Sequence, residues 1–129
     1  MELTIPSSQL LDLAHKYGTP LYVYHAETIE RQYHKMVQAF ENLDVRIFYA
    51  SKALTNVHVL KYVRSLGCNI DCSSSNEVFL AIHAGFTADK ILYTSNGVDF
   101  AEIEAVADTG AFINIDSLSN LEKIGRAHV

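Results

Sequence analysis

The sequence lacks the features that mark membrane proteins and nucleic-acid-binding proteins. No apolar run approaches the length of about 20 residues that a membrane-spanning helix needs, and the amino terminus has no signal-peptide pattern. The net charge is −5 and no basic run occurs, so nucleic acid is not an expected partner. We therefore expect a cytoplasmic protein that binds neither a membrane nor nucleic acid.

Cysteine and histidine form no pattern that predicts a disulfide or a metal site. The two cysteines, Cys68 and Cys72, flank one predicted strand, and four residues of extended chain separate them by about 13 Å. That separation is too large for a disulfide, and a metal site at this spacing would have poor geometry. The six histidines are scattered along the chain at His15, His25, His34, His58, His83 and His128. We expect no metal.

From about residue 44 the sequence is a repeat. Apolar runs are centred near Phe48, Ile70, Leu92 and Ile113, which places them every 21 to 22 residues. The runs are short and unbroken, which predicts strands covered on both faces. Each run is followed by apolar residues at helical spacing, so the repeat predicts four βα units with parallel strands.

Helix-start signals recur in the same place in each unit. Ser74-x-x-Glu77 is a capping-box pattern, and Asp99-x-x-Glu102 has the same spacing. The first helix opens at Thr55 or Asn56 and the fourth at Asp116 or Ser117. Each predicted helix ends at a glycine: Gly67, Gly85, Gly110 and Gly125.

The first 43 residues stand outside the repeat. A short helix starts at Ser7 or Ser8, Leu21 to Tyr24 reads as a strand, and Ala26 to Phe40 reads as an amphipathic helix. No linker rich in proline, glycine or serine interrupts the chain. We therefore divide it into residues 1–43, an N-terminal helix, strand and helix, and residues 44–129, the βα repeat.

Four βα units fit either a (β/α)8 barrel or an open doubly wound sheet. No G-x-G-x-x-G follows the first strand of the repeat, which weakens a dinucleotide-binding reading. In both architectures functional residues gather where the strands end. Polar side chains stand at the end of every predicted strand: Ser51, Lys52, Asp71, Ser73, Ser74, Ser95, Asn96, Asn114, Asp116 and Ser117.

Helix capping explains many of these residues, but it does not explain Lys52 or Asp71. A lysine cannot accept the hydrogen bond that an N-cap must accept, and Asp71 lies inside the run Asn69-Ile70-Asp71-Cys72. One reading of Lys52 is an ammonium that reaches past a strand end into water. The other is a desolvated, neutral amine that attacks a carbonyl and forms a Schiff base. We expect Lys52, Asp71 and Asn96 on one strand-end face.

Five segments resemble the motifs of one enzyme family. The segment Phe48–Ala53, FYASKA, is similar to the cofactor-lysine motif of the alanine-racemase-like (fold-type III) decarboxylases that depend on pyridoxal 5′-phosphate. Gly67–Glu77, Ile91–Gly97 and Ile113–Ser117 are similar to the strand motifs that follow it, and Tyr17–Tyr24 resembles the family's opening segment. The motifs are most similar to those of the members that convert meso-2,6-diaminopimelate to L-lysine and carbon dioxide.

The resemblance implies a cofactor, a fold and a set of site residues. Lys52 matches the lysine that carries pyridoxal 5′-phosphate, Asp71 matches an acidic residue beside the cofactor, and Glu77 matches another near the active site, although capping also explains Glu77. The implied fold is a partial (β/α)8 TIM barrel with about four of its eight βα units. The implied full-length enzyme is a homodimer that acts on a small amino acid.

Length sets a limit on this reading. A (β/α)8 barrel needs about 250 residues, whereas this chain has 129. We therefore expect an amino-terminal part of the enzyme, inactive on its own, whose tail after Gly125 need not follow the family pattern. Two alternatives stay open: a related decarboxylase for ornithine, arginine or carboxynorspermidine, and a non-catalytic βα regulatory module.

Overall fold

The computed structural model describes residues 5–127 of the chain. Residues cluster into two compact units, Met1–Ala39 and Phe40–Val129. The second unit contains the repeat that the sequence predicts, and it carries all of the strand-end residues singled out above.

The first unit consists of two helices. Helix α1 spans Ser7–Tyr17 and helix α2 spans Ala26–Ala39, as their apolar periodicity predicts. The predicted strand at Leu21 to Tyr24 is wrong, because this segment has no regular secondary structure and its residues are exposed. A strand is stabilised by hydrogen bonds to a neighbouring strand, and no described residue forms such a ladder here.

The second unit is a four-stranded parallel sheet with connecting helices. Its strands are β1, Phe48–Ala50, β2, Asn69–Cys72, β3, Ile91–Tyr93, and β4, Phe112–Ile113, and they lie in the order β1-β2-β3-β4. The helices are α3, Val57–Ser65, α4, Ser75–His83, α5, Phe100–Ala107, and α6, Leu118–Ala127. The predicted parallel βα repeat is confirmed, with β4 shorter than its apolar run suggests.

The core lies on the face of the sheet that the helices cover. Alternate strand residues point to opposite faces, and Ile70, Cys72, Ile91 and Tyr93 all point into the core. They pack with residues of α3 to α5 and of the turn after α4: Leu60, Val78, Ala81, Ala84, Phe86 and Val106.

The opposite face is only partly covered. Asp71 and Leu92 are half-buried there, and Phe112 in the same row is 48% exposed. The prediction of strands covered on both faces is therefore wrong for the described residues. The apolar runs did not reveal this, because a residue type that tolerates burial is also found partly exposed.

Side-chain caps fix where the helices begin. The Asn56 side chain accepts hydrogen bonds from the backbone N–H groups of His58 and Val59, at 3.0 and 3.3 Å, so the first helix opens after Asn56 rather than Thr55. Ser74 and Asp99 cap α4 and α5 by accepting from the N–H three residues later. Ser117 caps α6 in the same way, which settles the choice between Asp116 and Ser117.

We expect Asn56→Ala to lower the free energy of unfolding of the second unit by about 1 kcal/mol, because two N–H groups at the start of α3 lose their acceptor. Urea denaturation measures the change. Asn56→Asp keeps the acceptor oxygen and should retain most of the stability. Equal stability of the Asn56→Ala variant and the unchanged protein would contradict the capping role.

Candidate active site

The site is built where the four parallel strands end. Because the strands run in the same direction, the residues that follow each of them lie along one edge of the sheet. The register places Ala50 beside Asp71, and Asp71 beside Leu92. The segments after β1, β2, β3 and β4 therefore follow one another along this edge.

Lys52 is the central residue of a single 3-10 turn, Ser51–Ala53, that follows β1 directly. The turn is closed by the Leu54 N–H, which donates to the Ser51 carbonyl at 3.0 Å. A second bond joins it to the strand, since the Tyr49 hydroxyl donates to the Leu54 carbonyl at 3.2 Å. Lys52 is thus carried on a short segment that hydrogen bonds hold in one conformation.

Lys52 is exposed in the described chain, so of its two readings the structure favours the side chain that reaches past the strand end over the desolvated amine. The chain leaves the sheet one residue after β1 ends. Within the described part of the chain the ammonium forms no ion pair. Lys52 is therefore accessible to a ligand at the strand-end edge.

Glu77 is hydrogen-bonded to the turn that carries Lys52. Its Oε2 atom accepts a hydrogen bond from the Ser51 hydroxyl at 2.6 Å and another from the Ser73 N–H at 2.6 Å. Ser51 is 1% exposed, so the first of these bonds is shielded from water. One carboxylate oxygen thus joins the turn after β1 to the loop after β2.

The capping prediction for Glu77 is confirmed in part. Its backbone N–H donates to the Ser74 hydroxyl at 3.3 Å, as a capping box requires. The side chain, however, reaches the N–H of Ser73 rather than that of Ser74, and it also binds Ser51. Capping and attachment to the neighbouring unit are therefore both functions of this residue.

Asp71 lies on the partly covered face of the sheet, in register with Ala50, two residues before Lys52. Its Oδ1 atom accepts the Thr94 hydroxyl at 2.6 Å, and the residue is half-buried. Asn96 is exposed in the segment after β3. The sheet edge brings these segments together, while the placement of Asp71 beside a cofactor stays a prediction.

Two further carboxylates join neighbouring units. Asp116 Oδ2 accepts from the Gly97 N–H at 3.2 Å, which links the segments after β3 and β4. Glu102 Oε1 accepts both the Tyr93 hydroxyl and the Ser75 N–H at 2.9 Å, which ties α5 to β3 and to the start of α4. The sequence indicated polar strand ends but not these pairings, which connect residues 9 to 27 positions apart.

Burial controls the ionisation of the two free thiols. Burial raises the pKa of Cys68, and it raises the pKa of Cys72 to about 12, where the nearby carboxylates of Glu77 and Asp71 add to the effect. Both thiols are therefore protonated at neutral pH. In the described residues, no group of three His, Cys, Asp or Glu side chains is arranged to hold a metal ion.

A protein-family model matches residues 26–129, and its description is pyridoxal-dependent decarboxylase, pyridoxal binding domain. The chain belongs to this family. The matched region includes every residue of the strand-end edge. The family membership agrees with the motif resemblance and with an accessible lysine at the end of a strand.

Curated relatives extend the similarity over nearly the whole chain. Diaminopimelate decarboxylase of Methanothermobacter thermautotrophicus is 40% identical over 124 residues, which are 95% of this chain and 29% of that protein. Diaminopimelate decarboxylase of Escherichia coli K12 is 31% identical over 126 residues, again 95% and 29%. The chain therefore spans less than a third of the length of these relatives.

Solved structures share the fold. The structure of diaminopimelate decarboxylase from M. jannaschii in complex with L-lysine has a TM-score of 0.84 and 30% identity, covering 91% of this chain and 29% of that one. A lysine/ornithine decarboxylase of Vibrio vulnificus with putrescine has a TM-score of 0.85 and 25% identity, covering 98% and 35%. The four βα units agree with the predicted partial barrel.

The described residues fit covalent attachment of pyridoxal phosphate. An aldehyde cofactor needs a primary amine that it can reach on a segment that stays in place. Lys52 is exposed on a turn that Tyr49 and Glu77 hold from two sides. Neither Asp71 nor Glu77 engages the amine in an ion pair, since each accepts hydrogen bonds from hydroxyl or N–H groups instead.

No helix among residues 5–127 combines the length and the apolar character needed to cross a bilayer. The longest of the described helices, α2, has 14 residues and carries charged side chains.

The hydrogen bonds that Glu102 accepts can be tested through the pH dependence of stability. The Ser75 N–H, followed by the Tyr93 hydroxyl, lowers the pKa of Glu102 from its ordinary value of 4.5. A carboxyl group with a lowered pKa in the folded state stabilises the fold above its unfolded pKa, and this stabilisation is lost as pH falls through the folded pKa. We expect Glu102→Gln to reduce stability near pH 7 and to flatten the stability decrease below about pH 4.5.

Thermal or urea unfolding measured from pH 7 down to pH 3 checks this expectation. Tyr93→Phe removes one donor to Glu102 and should weaken the acid dependence in part. Glu104→Gln, at an exposed position of the same helix, serves as the matched control. An unchanged pH profile in Glu102→Gln would contradict the assigned interaction.

Proposed function

We propose that this chain is the amino-terminal part of a pyridoxal-phosphate-dependent decarboxylase that converts meso-2,6-diaminopimelate to L-lysine and carbon dioxide. The observation that carries the proposal is the placement of Lys52, an accessible amine on a fixed turn at the strand-end edge. The family match and the 40% identity to a diaminopimelate decarboxylase support the reaction and the substrate.

In this proposal Lys52 is the attachment point of the cofactor and exchanges with the substrate amine. Bound pyridoxal phosphate supplies an electron sink that allows a carboxylate to leave the substrate Cα. Asp71 presents a carboxylate near the turn from the partly covered face, where Thr94 fixes its orientation. Glu77 keeps the turn in place, and a direct contact of Glu77 with the cofactor stays a prediction.

A related substrate is the second candidate within the same chemistry. The structural similarity to a lysine/ornithine decarboxylase, at a TM-score of 0.85, favours ornithine or lysine as alternatives. Arginine and carboxynorspermidine are further substrates of related decarboxylases. A non-catalytic module with this fold would lack preferential attachment of the cofactor at Lys52. Labelling of Lys52 with pyridoxal phosphate therefore distinguishes such a module from a decarboxylase.

We also propose that the enzyme acts in the cytoplasm, without binding a membrane or nucleic acid, and as a homodimer. Two free cysteines agree with a reducing compartment, and a net charge of −5 disfavours nucleic acid. The homodimer rests on the family resemblance. Sedimentation of the full-length enzyme should give twice the mass of one chain, and a monomer that is fully active would contradict this expectation.

Reductive labelling tests the proposed attachment at Lys52. Incubation of the 129-residue chain with pyridoxal phosphate, borohydride reduction and peptide mass mapping should find the cofactor on Lys52 in preference to Lys61, an exposed lysine of α3. Reduction traps even weak attachment, which we expect for residues 1–129 alone. Labelling of Lys52 no faster than labelling of Lys61 would contradict the proposal.

Turnover is measured as carbon dioxide release in the full-length enzyme, with diaminopimelate, ornithine, lysine and arginine as separate substrates. We expect diaminopimelate to react fastest and Lys52→Ala to abolish most turnover, because the amine that exchanges with substrate is lost. Lys61→Ala is the matched control and should remain active. We expect no turnover by residues 1–129 alone, and full activity of Lys52→Ala would contradict the role of Lys52.

A further inference from the structure

We propose that Ser51 is a positioning residue: its hydrogen bond to Glu77 sets the position from which Lys52 reaches the cofactor. The inference rests on the proposed function of Lys52, and it assigns to the preceding residue a role that acts through Lys52. Its basis is the set of hydrogen bonds that Ser51 and Glu77 form at the turn after β1.

Ser51 holds the turn with two different groups. Its carbonyl accepts the Leu54 N–H at 3.0 Å and closes the 3-10 turn, and its hydroxyl donates to Glu77 Oε2 at 2.6 Å. Lys52 follows Ser51 directly in the chain. Rotation of the Ser51 backbone would therefore break one of these bonds, so the first peptide of the turn has little freedom.

The surroundings of the hydroxyl explain why a small polar side chain stands at this position. Ser51 is 1% exposed, and its side chain counteracts the rise that burial causes in the pKa of the buried Cys72 thiol. A larger side chain would meet the packed core below the turn. An alanine would fit, but it would leave Glu77 Oε2 with the Ser73 N–H as its one remaining donor among those described.

The anchor of the hydroxyl is itself fixed. Glu77 lies in the first turn of α4, where the Ser74 hydroxyl accepts its N–H at 3.3 Å, and its carboxylate is also held by the Ser73 N–H at 2.6 Å. The position of Lys52 therefore depends on β2 and α4 as well as on β1, because Glu77 connects them to the turn. At the residue after the turn, the Tyr49 hydroxyl donates to the Leu54 carbonyl at 3.2 Å.

This arrangement matters for the chemistry because the lysine amine must return to the same point whenever it exchanges with the substrate amine. A displacement of about 1 Å at a reacting group is enough to slow a reaction substantially. Ser51→Ala keeps Lys52 and its exposure but removes the hydrogen bond from Ser51 to Glu77. We expect the reaction of Lys52 with pyridoxal phosphate to slow on the order of tenfold, with the fold retained.

The experiment compares rates of attachment at two lysines in the same molecule. Each variant of the 129-residue chain is exposed briefly to pyridoxal phosphate and reduced with borohydride, and mass mapping gives the ratio of label on Lys52 to label on Lys61. Ser51→Ala should lower this ratio about tenfold. Ser65→Ala is the matched control, because its hydroxyl donates to the Tyr62 carbonyl within α3 and its loss should leave the ratio unchanged.

Glu77→Gln tests the partner of Ser51 and covers the case in which Ser51→Ala does not fold. The amide keeps an oxygen acceptor without the charge, so it should lower the ratio by less than Ser51→Ala does. In Ser51→Ala/Glu77→Gln the two losses should not multiply, because both changes act on the same hydrogen bond. Circular dichroism establishes the folded state of each variant, and a visible absorbance titration of the attached cofactor gives an independent reading.

The outcomes separate this inference from the proposed function. If the unchanged chain labels Lys52 no faster than Lys61, the proposed function fails. If the unchanged chain prefers Lys52 and folded Ser51→Ala keeps the same preference, the proposed function stands and the role of Ser51 is overturned. Should Ser51→Ala not fold, an unchanged ratio in folded Glu77→Gln would overturn it as well.

Discussion

The carboxylate of Glu77 joins two βα units at the point where the functional residues lie. Core packing alone sets the distance between sheet and helices, but it leaves the short segments after the strands free to move. At the strand-end edge that freedom is removed by hydrogen bonds to one carboxylate oxygen, from the Ser51 hydroxyl and the Ser73 N–H. Charge-assisted bonds of this kind are stronger than neutral ones, and shielding from water adds to their strength.

The same device recurs along the edge with other residues. Asp71 accepts from Thr94, and Asp116 accepts from Gly97, so each carboxylate binds a donor of a neighbouring unit. Glu102 makes a comparable link between α5, β3 and the start of α4. A parallel sheet aligns its strand ends, and these bonds convert that alignment into fixed positions for individual side chains.

The exposure of Lys52 in the described chain favours one of the two readings that the sequence left open. A buried lysine would become a nucleophile by losing its charge to a low-dielectric environment. Here the amine is accessible and the turn that carries it is held in place, so position and access are the properties that the chain itself supplies. Membership of the pyridoxal-dependent decarboxylase family agrees with this arrangement, since an attached cofactor must both reach the lysine and be released from it.

The sequence by itself determined the βα repeat, the parallel strands, the caps at Ser74 and Asp99 and the identity of Lys52 as the residue of interest. These follow from local patterns: apolar period, capping residues and a motif carried within six residues. The tertiary structure decided that residues 21–24 form no strand, that Lys52 is exposed, and that Ser51 pairs with Glu77. Such outcomes depend on partners 26 positions away or on whether a neighbouring strand exists, and a local pattern carries no information about either.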